Sequence, residues 1–335
     1  MNVVPNCKTL LASAALALCA GDAAAQSLTV TTTASGSLTH SLGSAVAKVV
    51  TESTDIRLIV QPQGGNALNP LNNKAAEFGF SNTYDVVFYV SGTGEYQGRG
   101  TQPNIRVVAR MLPNLSPMLV KASSEVKSVK DLKGKRIPGG FVSQKAIRQS
   151  ILGHLVNAGL TYNDVQEVLA PNIVKSADDF MAGKVDAFTF GLGTAKVKEV
   201  TASVGPLRAL PMETEPAAVA RMRDALPGAY VLMMEPTPVF PEIVTAMPMM
   251  AFDMALVTNV EVPDETVYKI VKTMHTKAKE MADTFAGLRR FKPDAMAIRY
   301  DQLSYHPGAI RYYQESASGR RRSSEGRRCS QHSGS

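Results

Sequence analysis

Residues 28–37 read Leu-Thr-Val-Thr-Thr-Thr-Ala-Ser-Gly-Ser, and Leu42, Val46, Val49 and Val50 follow at helical spacing. A short β-branched strand therefore runs into a loop of small residues and then into a helix. The same order recurs along the chain. Residues 56–60 (IRLIV) form a second strand, followed by Gln63-Gly64-Gly65-Asn66 and a helix-like segment. Further strands are expected at 77–81, 105–111, 117–121, 165–169 and 185–190, with Pro113 and Pro117 splitting the middle pair. Ile147, Ile151, Leu152, Leu155 and Val156 mark an amphipathic helix that Gly159 closes as a C-cap. A later helix starts at Pro263-Asp264, with Asp264 placed to cap free N–H groups and apolar residues recurring from Val267 to Phe285. Strands alternating with helices imply parallel βαβ units, an α/β fold class, and at this length two domains.

The loops carry the functional signal. In parallel α/β sheets ligands bind beyond the carboxyl ends of strands, where backbone N–H groups at helix starts favour an anion. The first loop offers Ser35, Gly36 and Ser37, and the second Gly64, Gly65 and Asn66. A third, Pro138-Gly139-Gly140-Phe141-Val142-Ser143, offers donors at Phe141, Ser143 and Gln144. Three such loops suit a carboxylate-binding cleft; ordinary βα turns are the alternative. Single side chains leave two readings each. Tyr84 stacks on a ligand or packs half-buried, and Asn69 bonds the ligand or caps its own helix. Arg110 pairs with a carboxylate or is a solvated strand end. His40 is a polar contact in the first helix turn or a surface histidine. Phe190 and Thr194 lie just past the 185–190 strand, toward the same region.

Composition narrows the class. The 335 residues carry 36 Lys+Arg against 29 Asp+Glu, a formal charge of +7, but five Arg and one Glu lie within residues 317–335. That tail holds +4 and the cancelling pair Lys8 and Asp22 holds nothing, so residues 26–316 carry only +3. Nucleic-acid binding has no support in so mildly basic a body. Cys7, Cys19 and Cys329 sit at the ends, which excludes a disulfide framework or a cysteine zinc site from the body. Residues 9–20 (TLLASAALALCA) are too short to span a bilayer, and Ala23-Ala24-Ala25 after them forms a signal-peptidase pattern. Residues 1–25 are thus expected to be a signal peptide, cleaved before Gln26, and the mature chain periplasmic. Residues 317–335 are expected to be a disordered or aberrant basic tail.

Catalytic patterns are missing. The five histidines are scattered, with no H-E-x-x-H pair and no G-x-S-x-G elbow. Residues 92–98 (GTGEYQG) approach a dinucleotide fingerprint with one residue too many, and read as a flexible loop. Neither an enzyme nor a cofactor or metal is expected.

Several of these stretches resemble the TAXI-type solute-binding proteins of tripartite ATP-independent periplasmic (TRAP) transporters. The run from Thr32 to Gly43 and Gly64-Gly65-Asn66-Ala67-Leu68-Asn69 resemble that family's first two loops. Residues 128–136 (SVKDLKGKR), 182–188 (AGKVDAF), 262–268 (VPDETVY) and 306–313 (HPGAIRYY) resemble later motifs, so the likeness covers about residues 28–315. His40 and Ser41 stand where Tyr and Pro are usual, and Gly139-Gly140-Phe141-Val142-Ser143 replaces a Gly-Ser-Gly-Thr stretch. The resemblance implies a periplasmic binding protein of type II, two α/β lobes joined by two crossing strands with the ligand cleft between them. Lobe I comprises residues 26–113 plus 256–316 and lobe II residues 114–255. It further implies a monomer that closes on a small anionic solute, such as glutamate or a keto or dicarboxylic acid, and delivers it to TRAP permease subunits. A sensory binding protein, a binding protein of an ATP-driven (ABC-type) transporter and, less favoured, a periplasmic enzyme are the alternatives.

Overall fold

In a computed structural model, the structure describes residues 26–63 and 67–317. The expected signal peptide, the Gly64–Asn66 loop and most of the basic tail lie outside the described residues.

The opening strand–loop–helix unit forms as the sequence predicts. Strand β1 (Gln26–Thr32) leads into α1 (Leu38–Ser53), and β2 (Ile56–Pro62) pairs parallel to β1 from Gln26↔Ile56 to Thr32↔Pro62. After the single turn α2 (Asn69–Asn72), β3 (Phe78–Asn82) takes the other edge of β1, also parallel. Helix α3 (Thr83–Ser91) follows β3 without a loop, and β4 (Ile105–Leu115) then joins the same sheet and runs on toward the second lobe. β4 passes through Pro113, whose missing donor was expected to end it. The register shifts opposite this stretch, between Asp253 and Ala255, relieve the ladder there.

The second lobe holds two smaller sheets. β5 (Met118–Lys121) is the centre of one; β6 (Arg136–Gly140), α4 (Lys145–Asn157), β7 (Gln166–Ala170) and α5 (Ile173–Met181) follow, with β6 and β7 parallel. β8 (Phe188–Thr189) and, after α6 (Ala195–Val204), β9 (Leu207–Ala209) flank β5 antiparallel. Gly159 has φ +76° directly after α4, as a left-handed C-cap requires. The chain returns through α7 (Pro216–Ala225), β10 (Tyr230–Met234) and the long β11 (Met247–Asn259), and ends in α8 (Asp264–Thr276), α9 (Ala278–Thr284) and the segment to residue 317.

β11 is the spine of the molecule. β4 runs antiparallel along one of its edges, while β3 and β10 share the other. Its sequence, MPMMAFDMALVTN, does not alternate because both faces are covered. One core joins α1, α3, α8 and the first sheet; two others fill the second lobe, and Met247, Met249 and Ala251 of β11 belong to one of those. The late helix breaks at Lys277, and Asp264 lies in its first turn behind Pro263 at the N-cap, without a side-chain capping bond. Among the described residues no helix is long and apolar enough to cross a membrane.

Candidate functional site

Between the two lobes lies a cavity of about 390 Å³, within the range of small-molecule sites. Its first wall is built from the hydroxyl cluster ahead of α1 and from the β3–α3 junction. Ser37 caps α1, its Oγ accepting from the His40 amide at 3.2 Å. Thr33 Oγ1 donates to Ser37 Oγ at 2.9 Å and lies 2.6 Å from Thr39 Oγ1, so three small residues lock one another in place. Tyr84 is fully buried, packs edge-on against Phe252 at 4.8 Å between centroids, and donates its hydroxyl to the Ala146 carbonyl of α4 at 3.3 Å. That bond ties the first wall to the second lobe across the cavity.

The second wall starts where β6 ends. Gly140 and Phe141 both have positive φ, +77° and +45°. Phe141 is held in that costly region by its amide, which donates to Gly139 and Ala170 carbonyls at 2.9 and 2.8 Å, and by a ring sunk in the lobe core. This bend aims Val142–Lys145 at the cavity. Gln144 accepts the Ile173 amide at 3.0 Å through Oε1, while its buried Nε2 has no partner. Asn114 of β4 lies on the floor with Oδ1 likewise buried and unpartnered. Gln144 is 7% and Asn114 9% exposed, so each leaves a polar atom that costs free energy until a ligand meets it.

The floor is braced from behind. Ser116 and Thr189 hydroxyls lie 3.0 Å apart in the lining, and the Ser116 carbonyl accepts from Thr189 Oγ1 at 3.0 Å and from His154 Nε2 at 2.9 Å. A carbonyl only accepts, so His154 carries its proton on Nε2 and turns bare Nδ1 toward Met212 Sδ at 3.1 Å. Burial pushes this imidazole down to about 4.

Charged groups gather at one end. Asp85 is buried in the first turn of α3 and accepts from Ser81 Oγ at 3.0 Å and Tyr96 hydroxyl at 2.8 Å. Glu95, beside Tyr96, lines the same end of the cavity. Burial first, then the nearby Asp85 carboxylate, push Glu95 up to about 8, while Tyr96 and Lys145 pull the other way. Arg99 and Lys145 supply the positive charges of the lining; Arg99 Nη1 also donates to Asn69 Oδ1 at 3.1 Å.

Of the expected site residues, Ser37, Asn69, Tyr84, Ser143, Gln144 and Phe190 line the cavity. Ser35, Gly36, His40, Arg110, Phe141 and Thr194 do not. Arg110 is engaged with Asp253 at 2.8 Å at the strand crossing, a desolvated pair with no charge left over. Thr194 is buried under α6 and bonds Gly191 at 2.9 Å. The expected backbone donors of the third loop are satisfied internally: the Ser143 amide donates to Pro171 at 3.0 Å and the Gln144 amide to Phe141 at 2.9 Å. Asn69 is the first residue of α2 rather than its cap. Asp85, Glu95, Tyr96, Arg99, Asn114 and Ser116 went unread. Glu95 and Tyr96 had a signal in residues 92–98, where the glycines make a tight 3₁₀ turn on the cavity instead of a flexible loop.

Solved structures share this arrangement. PhnD1 from Prochlorococcus marinus, in complex with methylphosphonate, is 13% identical with a TM-score of 0.52 over 88% of this chain and 98% of that one. The structure of a periplasmic transporter is 14% identical with a TM-score of 0.52, covering 87% of this chain and 92% of that one. A protein of Bordetella bronchiseptica RB50 is 13% identical with a TM-score of 0.52, covering 87% and 98%. At such identities the likeness shows the fold alone, two α/β lobes with a cleft between them. Residues 30–316 match the model of a family described as NMT1-like, and the chain belongs to the NMT1-like family.

Proposed function

We propose that the chain is an exported solute-binding protein that captures a small anionic solute between its lobes and hands it to a membrane transporter, without catalysis. The observation that carries this reading is the inter-lobe cavity with a buried, unpartnered amide donor, Gln144 Nε2, which an anion can meet, and an unpartnered acceptor, Asn114 Oδ1, which calls for an N–H or O–H of the same guest. Buried polar atoms are nearly always paired in a finished fold, so a cavity that leaves two open is incomplete without a guest. Arg99 and Lys145 give the guest a positive rim, and the +3 body draws small anions without gripping polyanions. Lobe I is residues 26–113 plus 256–316 and lobe II residues 114–255, and the β4–β11 crossing is the hinge on which they close. The protein acts in the periplasm as a monomer, with residues 1–25 as its export signal. The sequence resemblance makes the membrane partner a TRAP-type permease, and the solute a carboxylate. An adjacent gene for an ATP-hydrolysing transport subunit would assign the chain to the ATP-driven class, and a histidine-kinase gene to sensing.

The test is a thermal-shift screen of the purified protein against amino acids, keto acids, dicarboxylates, alkylsulfonates and alkylphosphonates. Stabilisation by at least one carboxylate is expected. Stabilisation only by neutral solutes refutes the anion reading, and conversion of a bound compound refutes the non-catalytic one.

A further inference from the structure

The uncharged floor of the cavity selects for a group that the charged end does not. It is built from Asn114 of β4, Ser116 just past it, and Thr189, Phe190 and Gly191 from the end of β8 onward, all in the lining. Thr189 Oγ1 spends its one proton on the Ser116 carbonyl at 3.0 Å, so the 3.0 Å contact between the two hydroxyls takes the proton of Ser116. Neither hydroxyl keeps a proton for a guest. Beside them Asn114 Oδ1 is buried with no donor at all. Gly191 keeps that oxygen open. A side chain there would bring its Cβ to 3.1 Å from Asn114 Oδ1, with Leu38 and Thr194 side-chain atoms 3.6 Å away on its other sides. The floor therefore presents acceptors that lack a donor.

The wall does the opposite. Gln144 Oε1 is taken by the Ile173 amide at 3.0 Å, which fixes the carboxamide and leaves Nε2 as a buried, unpartnered donor. An ionised dicarboxylate or keto acid satisfies Nε2 but leaves Asn114 Oδ1 bare, because all of its oxygens accept. We propose that the solute is a hydroxylated carboxylic acid, with a carboxylate oxygen on Gln144 Nε2 and an alcohol hydroxyl donating to Asn114 Oδ1, and that Asn114 and Gly191 are the specificity residues for that hydroxyl. An amino acid fits less well. Its ammonium brings three donors and a charge, and meets only neutral oxygens on the floor. Asp85 is already engaged, receiving Ser81 on one oxygen at 3.0 Å and Tyr96 on the other at 2.8 Å. Arg99 and Lys145 in the same lining repel an added cation.

The inference rests on the anion-binding reading, and the experiment separates the two. Isothermal titration at neutral pH uses lactate, propionate, pyruvate and L-alanine, which share one skeleton and differ only in the group beside the carboxylate. Malate, succinate and L-aspartate form a longer set, and erythritol is the uncharged hydroxylated probe. The proteins are the native chain, Asn114→Leu, which removes the acceptor, and Gly191→Ala, which covers it with a methyl. In whichever set binds, the hydroxy acid should bind about tenfold or more tighter than its partners, the worth of one buried hydrogen bond. In both variants that ratio should fall below about threefold, whatever the absolute affinities. Acids without the hydroxyl binding as tightly as lactate or malate overturn the proposal and leave the anion reading standing. A hydroxyl preference that survives both variants overturns it too. Erythritol binding where no acid binds overturns the anion reading while the hydroxyl contact stands, and no binding by any probe overturns both.

Discussion

Acidification should weaken the fold at His154; burial also lowers His306, a contribution that stays constant when only His154 is replaced. An ordinary imidazole titrates near 6.5, and burial holds His154 at about 4. Between those values the unfolded chain binds a proton that the folded chain refuses, so stability is lost as pH falls through the window and is fully present above it. The depression of about 2.5 units, at about 1.4 kcal/mol per unit, sets a ceiling of about 3 kcal/mol. The cost is that of burying the charge, since Nε2 keeps its bond to the Ser116 carbonyl and a proton on Nδ1 would meet only the weak acceptor Met212 Sδ. Glu95 works against it. Its carboxyl, held up at about 8, keeps a proton that the unfolded chain releases above about 4.5, so stability falls as pH rises through that span. The two slopes overlap with opposite sign, and the His154 term is read cleanly only with Glu95 silenced. Urea unfolding followed by circular dichroism, at several pH values from about 7 to 4.5, should show Glu95→Gln losing about 2–3 kcal/mol on acidification. The double variant with His154→Gln should lose much less. Equal acid slopes with and without His154 would refute the burial argument.

Three further outcomes are expected. Gln144→Glu keeps the acceptor for the Ile173 amide but replaces the buried donor with negative charge; affinity for any anion found by the screen should drop by about 2–3 kcal/mol, measured by titration calorimetry under conditions where the variant stays folded. Gly308→Ala pushes a methyl into the Asp264 backbone and should cost about 1–3 kcal/mol in a denaturant midpoint, although its φ is ordinary; an unchanged midpoint would contradict the close approach. Asp253→Ala strands Arg110, Tyr230 and Tyr300 around an empty carboxylate site and should cost about 3–5 kcal/mol, with part recovered when Arg110→Met is added. The absence of any recovery in the double variant would show that the cost is packing and not an unpaired charge.

Local rules made much of the first lobe legible. The β-branched runs at β1 and β2 and the spaced apolar residues of α1 each announce themselves within a few positions, because one face of each is buried and the other is not. β11 does not, since thirteen residues covered on both faces show no period, and its Met-rich run reads equally as a buried helix segment. The antiparallel return of β11 also decides the sheet order, and such long-range pairing leaves no local mark. For the site, the sequence pointed to loops at strand ends and found half of the residues. Ser37, Tyr84 and Gln144 stand at helix starts, where spacing places them. Asp85, Glu95 and Asn114 converge only because α3 follows β3 without a break and β4 runs on past Pro113. Arg110 was drawn away by Asp253, a partner 143 positions along the chain.

The central claim is that the cavity between the lobes holds a small anion. Native mass spectrometry of gently purified protein, compared with the same protein after unfolding and refolding in solute-free buffer, tests it most directly. A retained mass matching a small carboxylate, lost on refolding, restored by adding that compound, and weakened in Gln144→Glu, is the expected result. A mass that persists in Gln144→Glu at full occupancy, or a retained solute without an acidic group, would contradict it.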